Sequence, residues 1–347
     1  MGSGRRKLEA LTMAAMQFRQ AIVNALADEM RTDPTVMLFG EDVAEAEGPF
    51  KTSEGLLAEF GPVRVRDTPI SEMGFTGAAV GAAILGAKPV VEIMFIEFLG
   101  VALDQVVTEA AKMRYLSNGK LSVPMVVRAS CGSGLGFGSQ HSQTLENWFT
   151  ATPGLKLIML SDAQAAYSLT RAAIQDPDPV VILEPRILYA KRGEVDKNLK
   201  IEIGKARVMR EGSELTIVSS GQMVDVCKSA IEESGVNAEL IDLATIIPWD
   251  RQTVLKSVKK TGRLVVVEEA PLSGGWGSEI VATVASSLFG ELKAAPFRIT
   301  SPDIPVPYSG PLETRYIPTK EDVARQLKEV IATGKTPKTW WEMEGLK

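Results

Sequence analysis

The sequence predicts an α/β protein of two domains, the first built on a parallel sheet and the second a further α/β unit. Three observations carry this expectation. Short apolar runs, as at 90–95 and 180–184, are continuous rather than alternating, the mark of strands covered on both faces. They alternate with segments whose apolar residues recur at three- and four-residue steps. The alternation fades over a polar, charged stretch at 186–210 and then restarts, in a chain of 347 residues whose length suits about two domains.

In order, Phe18, Ile22, Ala25, Leu26 and Met30 mark a first helix. The run 36–39 reads as a buried strand opening at Gly40-Glu41-Asp42, and a short helix is expected over 53–60. After Asp67-Thr68-Pro69-Ile70-Ser71-Glu72 comes a helix of small residues, Gly77, Ala78, Gly81 and Ala82, with Gly86 at its end. Each helical glycine costs roughly 1 kcal/mol against alanine. That cost implies close approach by another backbone or a ligand, or tight core packing. Strands at 90–95, 123–129, 155–160 and 180–184 enclose helices at 99–115 and 163–175, the second preceded by the capping residues Ser161 and Asp162.

Beyond the polar stretch, strands at 215–219, 239–243, 264–268 and 297–300 enclose helices near 224–233, 250–260 and 278–289. The segment 302–318 carries five prolines and is expected to lie extended. An amphipathic helix at 320–332 follows, with Val323, Leu327, Val330 and Ile331 on one face. Residues 1–16, opening Met1-Gly2-Ser3-Gly4 with no long apolar run behind, read as an N-terminal extension or cloning scar. The domains are then 17–190 and 213–340, with a linker at 191–212.

Composition removes several function classes. A net charge of −5 excludes an electrostatic nucleic-acid binder, which collects cations to neutralise phosphates. Two cysteines, Cys131 and Cys227, make neither a disulfide framework nor a thiolate metal knuckle. A single histidine, His141, leaves no multi-histidine metal site. No run approaches the ~20 apolar residues of a membrane span. A soluble protein of a reducing compartment is expected, and without a recognisable transit peptide, a bacterial or archaeal cytoplasm.

The glycine-rich stretch Gly132-Ser-Gly134-Leu-Gly136-Phe-Gly138 invites a dinucleotide reading, but its glycines do not fall at the first, third and sixth positions of that fingerprint. Gly274-Gly275-Trp276-Gly277 departs in the same way. Both read more simply as loops. His141, in Ser139-Gln140-His141-Ser142-Gln143, is either a structural histidine or a loop-borne functional one. Glu72 is either a first-turn carboxylate favoured by the helix dipole, or a proton-exchanging acid buried by Ile70, Met73 and Phe75.

Five ordered motifs carry a resemblance over about residues 17–335. They are Asp67-Thr-Pro-Ile-Ser-Glu72, Met94-Phe-Ile-Glu-Phe98, Leu103-Asp104-Gln105, Gln140-His141-Ser-Gln143 and Pro153-Gly154-Leu155-Lys156. Together they resemble the beta subunits of thiamine-diphosphate-dependent 2-oxo acid dehydrogenases, including the pyruvate, acetoin and branched-chain enzymes. The resemblance implies a transketolase pyrimidine-binding domain followed by a transketolase C-terminal domain. It implies an oxidoreductase with a lipoyl disulfide as acceptor.

By the same resemblance, Glu72 hydrogen-bonds N1′ of the cofactor's aminopyrimidine and so promotes ylide formation. Met94 and Phe98 line the pyrimidine pocket, Phe98 by stacking. His141 transfers protons and guides the lipoyl group during reductive acylation. A potassium site, made mainly of backbone carbonyls, is implied at Met125, Ala173, Ile174, Asp176 and Asp178; the family more often has asparagine at position 178. The chain contains no Gly-Asp-Gly. The resemblance therefore implies that an alpha subunit supplies the Mg²⁺ and diphosphate half of the site in an α₂β₂ heterotetramer, and that a lipoylated acyltransferase docks on the C-terminal domain. Phe95, Ile96 and Leu99 are the local candidates for tuning acyl-chain preference, with a lean toward pyruvate or acetoin over branched-chain acids. The competing classes are a dinucleotide-dependent dehydrogenase and a non-catalytic assembly module.

Overall fold

The computed structural model describes residues 13–343 and residue 345, so most of the expected N-terminal extension lies outside the described residues. The chain divides into two units: residues up to Cys131 together with 148–203, and residues 132–147 together with 204 onward.

In the first unit β1 (Met13–Gln17) runs straight into α1 (Phe18–Thr32). Six strands follow, β2 (Val36–Gly40), β3 (Val65–Asp67), β4 (Lys88–Ile93), β5 (Val126–Cys131), β6 (Lys156–Met159) and β7 (Val180–Pro185). They lie in the order β6-β7-β5-β4-β2-β3 and every pair is parallel. Register aligns Leu38 with Val90, Val90 with Val126 and Val126 with Val180, a buried apolar row across the sheet. Continuous apolar strands are thus covered on both faces, as their composition requires.

The connecting helices start where their caps dictate. The Asp162 carboxylate accepts from Ala165 N at 2.8 Å and opens α5 (Ala163–Gln175), as the sequence predicts; α2 (Leu56–Phe60), α3 (Glu72–Ile84) and α4 (Ala111–Leu116) precede it. Helices α1 and α5 pack together, tied by Tyr167 Oη donating to Asp28 at 2.9 Å and Arg171 Nε donating to Glu29 at 2.6 Å. Within the sheet, Arg128 of β5 is buried between two carboxylates, Glu92 of β4 at 2.9 Å and Glu184 of β7 at 2.7 Å. Burial raises the Glu92 carboxyl above its ordinary range, and the Arg128 charge opposes that rise.

Two expectations for this unit need correction. The single helix expected at 99–115 is three pieces: a 3₁₀ turn at Ile96–Gly100, a π turn at Gln105–Ala110 and α4. The reason is close packing: a Cβ on Gly100 would stand 3.0 Å from the Trp148 ring, and a Cβ on Gly77 would stand 2.9 Å from Gln105 Oε1. The bare side of α3 is therefore explained at Gly77 by the approach of Gln105, whereas Gly81 has nothing within 4 Å. The stretch expected as a linker at 191–212 also contains strands. Here β8 (Arg192–Asp196) pairs antiparallel with β1, and β9 (Arg207–Arg210) joins the second unit's sheet. Both are polar edge strands, whose stability comes from main-chain pairing that leaves little apolar signal.

The second unit contains β10 (Leu215–Ser219), α6 (Met223–Ser234), β11 (Ala238–Asp242), β12 (Thr245–Ile247) and α7 (Arg251–Thr261). Then come β13 (Leu264–Pro271), α8 (Gly277–Leu288), β14 (Phe297–Ser301), α9 (Gly310–Tyr316) and α10 (Lys320–Thr333). Its sheet runs β14-β13-β10-β11-β9, parallel except at the β9 edge. Leu215, Ile217, Leu240, Val265 and Val267 of the sheet pack with Val224, Cys227 and Ile231 of α6 and Val323, Leu327 and Val330 of α10. Asp250 and Thr319 cap α7 and α10 through Thr253 N and Asp322 N, and both helices end at a left-handed glycine, Gly262 or Gly334. The proline-rich segment is not wholly extended, because α9 forms inside it. Pro311 sits in the first turn of that helix, where the missing N–H costs nothing. No helix among the described residues is long and apolar enough to cross a membrane.

Candidate functional site

Glu72 opens α3 and is 7% exposed. The expected burying residues divide: Phe75 is buried, but Ile70 is 84% and Met73 53% exposed, so those two do not enclose it. The chain instead places a second acid nearby. Glu41, just past the C-terminal end of β2, has its carboxyl raised by burial and by the negative charges of Glu72 and Asp42. Around this pair three buried oxygens have no hydrogen-bond partner among the described residues: Glu41 Oε1, Thr68 Oγ1 and Thr76 Oγ1. Thr76 lies four positions after Glu72, on the same helical face. Thr68 N donates to Gly40 O at 2.9 Å, which brings the Asp-Thr-Pro-Ile-Ser-Glu segment back to the end of β2. Buried polar atoms are almost always paired. Several unpaired ones beside a buried carboxylate therefore indicate a ligand surface.

Met94 directly follows β4, and Phe98 lies within the 3₁₀ turn Ile96–Gly100. The Met94 carbonyl accepts from Ser130 Oγ, and Arg186 Nη1 donates to the same hydroxyl at 3.2 Å. Phe98 meets Phe95 edge-to-face at 5.8 Å, and the Arg186 guanidinium lies 4.9 Å from the Phe95 ring. Of the pocket-tuning candidates, Phe95, Ile96 and Leu99 are all buried.

The potassium positions cluster at the end of α5 and the start of β5. Asp176 accepts from Lys156 Nζ at 2.6 and 2.7 Å, and Asp178 pairs with Arg114. The Met125 and Ala173 carbonyls accept from Val180 N and Asp176 N. Because protein cations already engage both carboxylates, main-chain oxygens are the donors this cluster could offer a monovalent ion. Among the described residues no group of three or more His, Cys, Asp or Glu side chains could hold a metal.

His141 lies in the second unit, half-buried on the loop 132–147. The expected first domain, 17–190, thus yields this loop to the other unit, because its anchors are there. Glu269 accepts from Ser133 N at 2.7 Å, and Glu313 accepts from Gly134 N at 2.8 Å and Gly136 N at 2.9 Å. The second glycine stretch is treated alike: Gly277 N donates to Glu268, and a Cβ on Gly275 would collide with Arg298. Both stretches are filled by protein side chains, which removes the geometric ground for a dinucleotide phosphate. Glu146, at the foot of the loop, accepts from Trp276 Nε1 at 3.2 Å. Its carboxyl is pushed up to about 8 by burial, with Glu268 and Glu269 adding to the rise.

The sequence alone did not single out Glu41, Glu269, Glu313 or Arg128. For Glu41 a signal existed, since ligands of parallel sheets gather at the carboxyl ends of strands. For the others none did.

Fold and site together define a two-domain protein of the transketolase type. Residues 14–191 match the family described as Transketolase, pyrimidine binding domain, and residues 204–323 match Transketolase, C-terminal domain. A solved "Split gene transketolase, inactive beta4 tetramer" shares the fold, with a TM-score of 0.71 at 23% identity over 92% of this chain and 99% of its own. Relatives are closer in sequence. The "Pyruvate dehydrogenase E1 component subunit beta, mitochondrial" of Pisum sativum is 44% identical over 321 residues, 90% of this chain and 89% of its own. The corresponding subunit of Rhizobium meliloti is 44% identical over 92% of this chain and 70% of its own, and that of Rickettsia conorii 41% over 90% and 97%. The chain belongs to the family of beta subunits of the E1 components of 2-oxo acid dehydrogenases, which are oxidoreductases.

The cofactor implied by that family, thiamine diphosphate, fits half of what is present. A buried carboxylate with neighbouring partnerless oxygens suits the nitrogens of an aminopyrimidine. No metal-holding acid cluster occurs among the described residues to take up a Mg²⁺-bound diphosphate.

Proposed function

We infer that the chain is the pyrimidine-binding half of a pyruvate-type 2-oxo acid dehydrogenase, active with an alpha subunit that supplies the Mg²⁺ and diphosphate half. The observation that carries this reading is the buried Glu72 at the start of α3, with the partnerless oxygens of Glu41, Thr68 and Thr76. Thiamine diphosphate, when bound there, would supply the nucleophilic carbon and the electron sink that decarboxylation of a 2-oxo acid needs.

In this reading Glu72 Oε holds a proton against N1′ of the aminopyrimidine and sets its tautomer. Thr68 and Thr76 hydroxyls would orient the ring, and Glu41, whose carboxyl is biased toward its protonated form by burial and by the Glu72 charge, stands beside them. Met94 and Phe98 close the apolar side of the pocket and exclude water. His141 moves a proton to the lipoyl sulfur as the acyl group leaves for a lipoylated acyltransferase, which the C-terminal domain would dock. Exposed apolar residues on and beside α3, with Leu85 90% exposed, support a partner subunit there. A cytoplasmic α₂β₂ heterotetramer belongs to the same reading, as does a potassium ion on the main-chain oxygens of Met125, Ala173, Ile174, Asp176 and Asp178.

The test is co-expression with the neighbouring alpha-subunit gene, then dye reduction dependent on thiamine diphosphate and Mg²⁺. Pyruvate, 3-methyl-2-oxobutanoate and acetoin are compared. Pyruvate is expected to lead. Preference for either competitor overturns the substrate assignment, and turnover by the beta chain alone overturns the half-site.

A further inference from the structure

The loop bearing His141 has the composition of a phosphate-binding loop, yet its main-chain donors are consumed within the chain. Glu269 Oε1 accepts from both Ser133 N at 2.7 Å and Ser133 Oγ at 2.8 Å. Glu313 spends one oxygen on Gly134 N at 2.8 Å and the other on Gly136 N at 2.9 Å. Both glutamates are buried. Gln222 Nε2 donates to the second oxygen of Glu269, so that carboxylate is itself held. Gly132 N donates to Gln143 O at 3.0 Å and closes the base of the loop.

The path from these anchors to the imidazole is short. Gly138 O accepts from His141 N at 3.2 Å, and a Cβ on Gly138 would stand 3.0 Å from Tyr308 Cδ2. Gly132, Gly134, Gly136 and Gly138 all have positive φ. A segment with so many glycines loses much conformational freedom when fixed, and glycine itself gives it no side chain with which to resist motion. Charge-assisted bonds from N–H groups to a buried carboxylate are the stronger kind, and offset that loss.

The geometry points to Glu313 and Glu269 as positioning residues for His141, a two-carboxylate clasp that fixes the glycine loop and thereby the imidazole. Neither acts on the reacting groups. The inference deepens the reading of His141 in lipoyl transfer and rests on it.

The test uses Glu313→Ala in the full chain, co-expressed with its alpha subunit and supplied with thiamine diphosphate and Mg²⁺. Two quantities are read: amide hydrogen exchange in the 132–141 segment, and the rate of lipoyl-domain reduction relative to dye reduction with the same 2-oxo acid. Exchange is expected to quicken by ~10-fold or more as the loop opens. The lipoyl-to-dye ratio is expected to fall ~10-fold, since small misplacements of a reacting group cost rates of that order. Glu313→Gln, which keeps one acceptor oxygen, should lie between wild type and alanine, and serves if the alanine variant does not fold.

Unchanged exchange overturns the clasp. Quickened exchange with an unchanged ratio, while His141→Ala lowers that ratio, overturns the positioning role. If His141→Ala also leaves the ratio unchanged, the reading of His141 has failed and the inference falls with it, although the clasp stands.

Discussion

Glu72 and His141 are supported in opposite ways. Glu72 sits at the start of a regular helix, rigid in its main chain, but its polar neighbours Thr68, Thr76 and Glu41 are left with partnerless oxygens and the helix exposes apolar side chains. His141 sits on a glycine loop with no regular structure, yet the donors that anchor that loop are met by Glu269 and Glu313. A helix satisfies its interior main-chain groups by itself, so once packed on the sheet the first region can leave side-chain polar groups open for a ligand and a partner. A glycine loop cannot hold itself, so the second must be completed by its own chain.

The largest effect that would break this comparison comes from Glu72 itself. Glu72→Gln in the assembled enzyme should lower thiamine-diphosphate-dependent turnover by ~10²–10⁴-fold, the usual span for losing a proton-transfer group. Steady-state dye reduction measures it, and full turnover would remove Glu72 from the site. Next in size is Arg128→Met, which leaves Glu92 and Glu184 buried without their shared cation. Its cost to folding should be about 3–5 kcal/mol, read from denaturant midpoints.

Thr76→Val sharpens the contrast more gently. Its hydroxyl is buried without a partner, so the change should leave the chain as stable or more so. Cofactor binding should weaken by up to ~10-fold, the worth of one hydrogen bond. Denaturant unfolding of the variant checks the first half and calorimetric titration of thiamine diphosphate into the complex the second, and unchanged affinity would place Thr76 outside the ligand surface.

A further effect, visible only as a pH dependence, comes from Glu146. Its folded carboxyl titrates near about 8, against an ordinary value of 4.5, so between those limits the folded state binds more protons than the unfolded one. This group's contribution is therefore most favourable below 4.5 and is lost progressively as pH rises through about 8. Glu146→Gln should flatten the fall in unfolding free energy between pH 6 and pH 9, measured by urea titration.

Much of this fold was legible without coordinates. Continuous apolar runs and Asp162 before Ala163 place strands and helices to within a few residues, because burial on both faces and helix capping are local consequences of residue type. The proposed site residues Glu72, Met94, Phe98 and His141 were named from the resembling segments alone. The glycine loop was not, since its fate depends on Glu269 and Glu313, more than 130 positions away. The polar strands β8 and β9 were missed because main-chain pairing is indifferent to side chains. Helix 99–115 was misread because its packing partners, Trp148 against Gly100 and Gly77 against Gln105, lie outside the segment.

By itself, then, the sequence determined two α/β domains, which rest on residue types and spacings that near neighbours can satisfy, and through the resemblance of its motifs it pointed to the family and the candidate chemistry. Only the tertiary structure decided that Glu72 is buried without help from Ile70 and Met73, that Glu41 joins it, and that the His141 loop belongs to the second unit. Those outcomes turn on which segments pack together, and for the loop on buried carboxylates meeting donors far along the chain, and long-range contacts of that kind leave no periodicity to read.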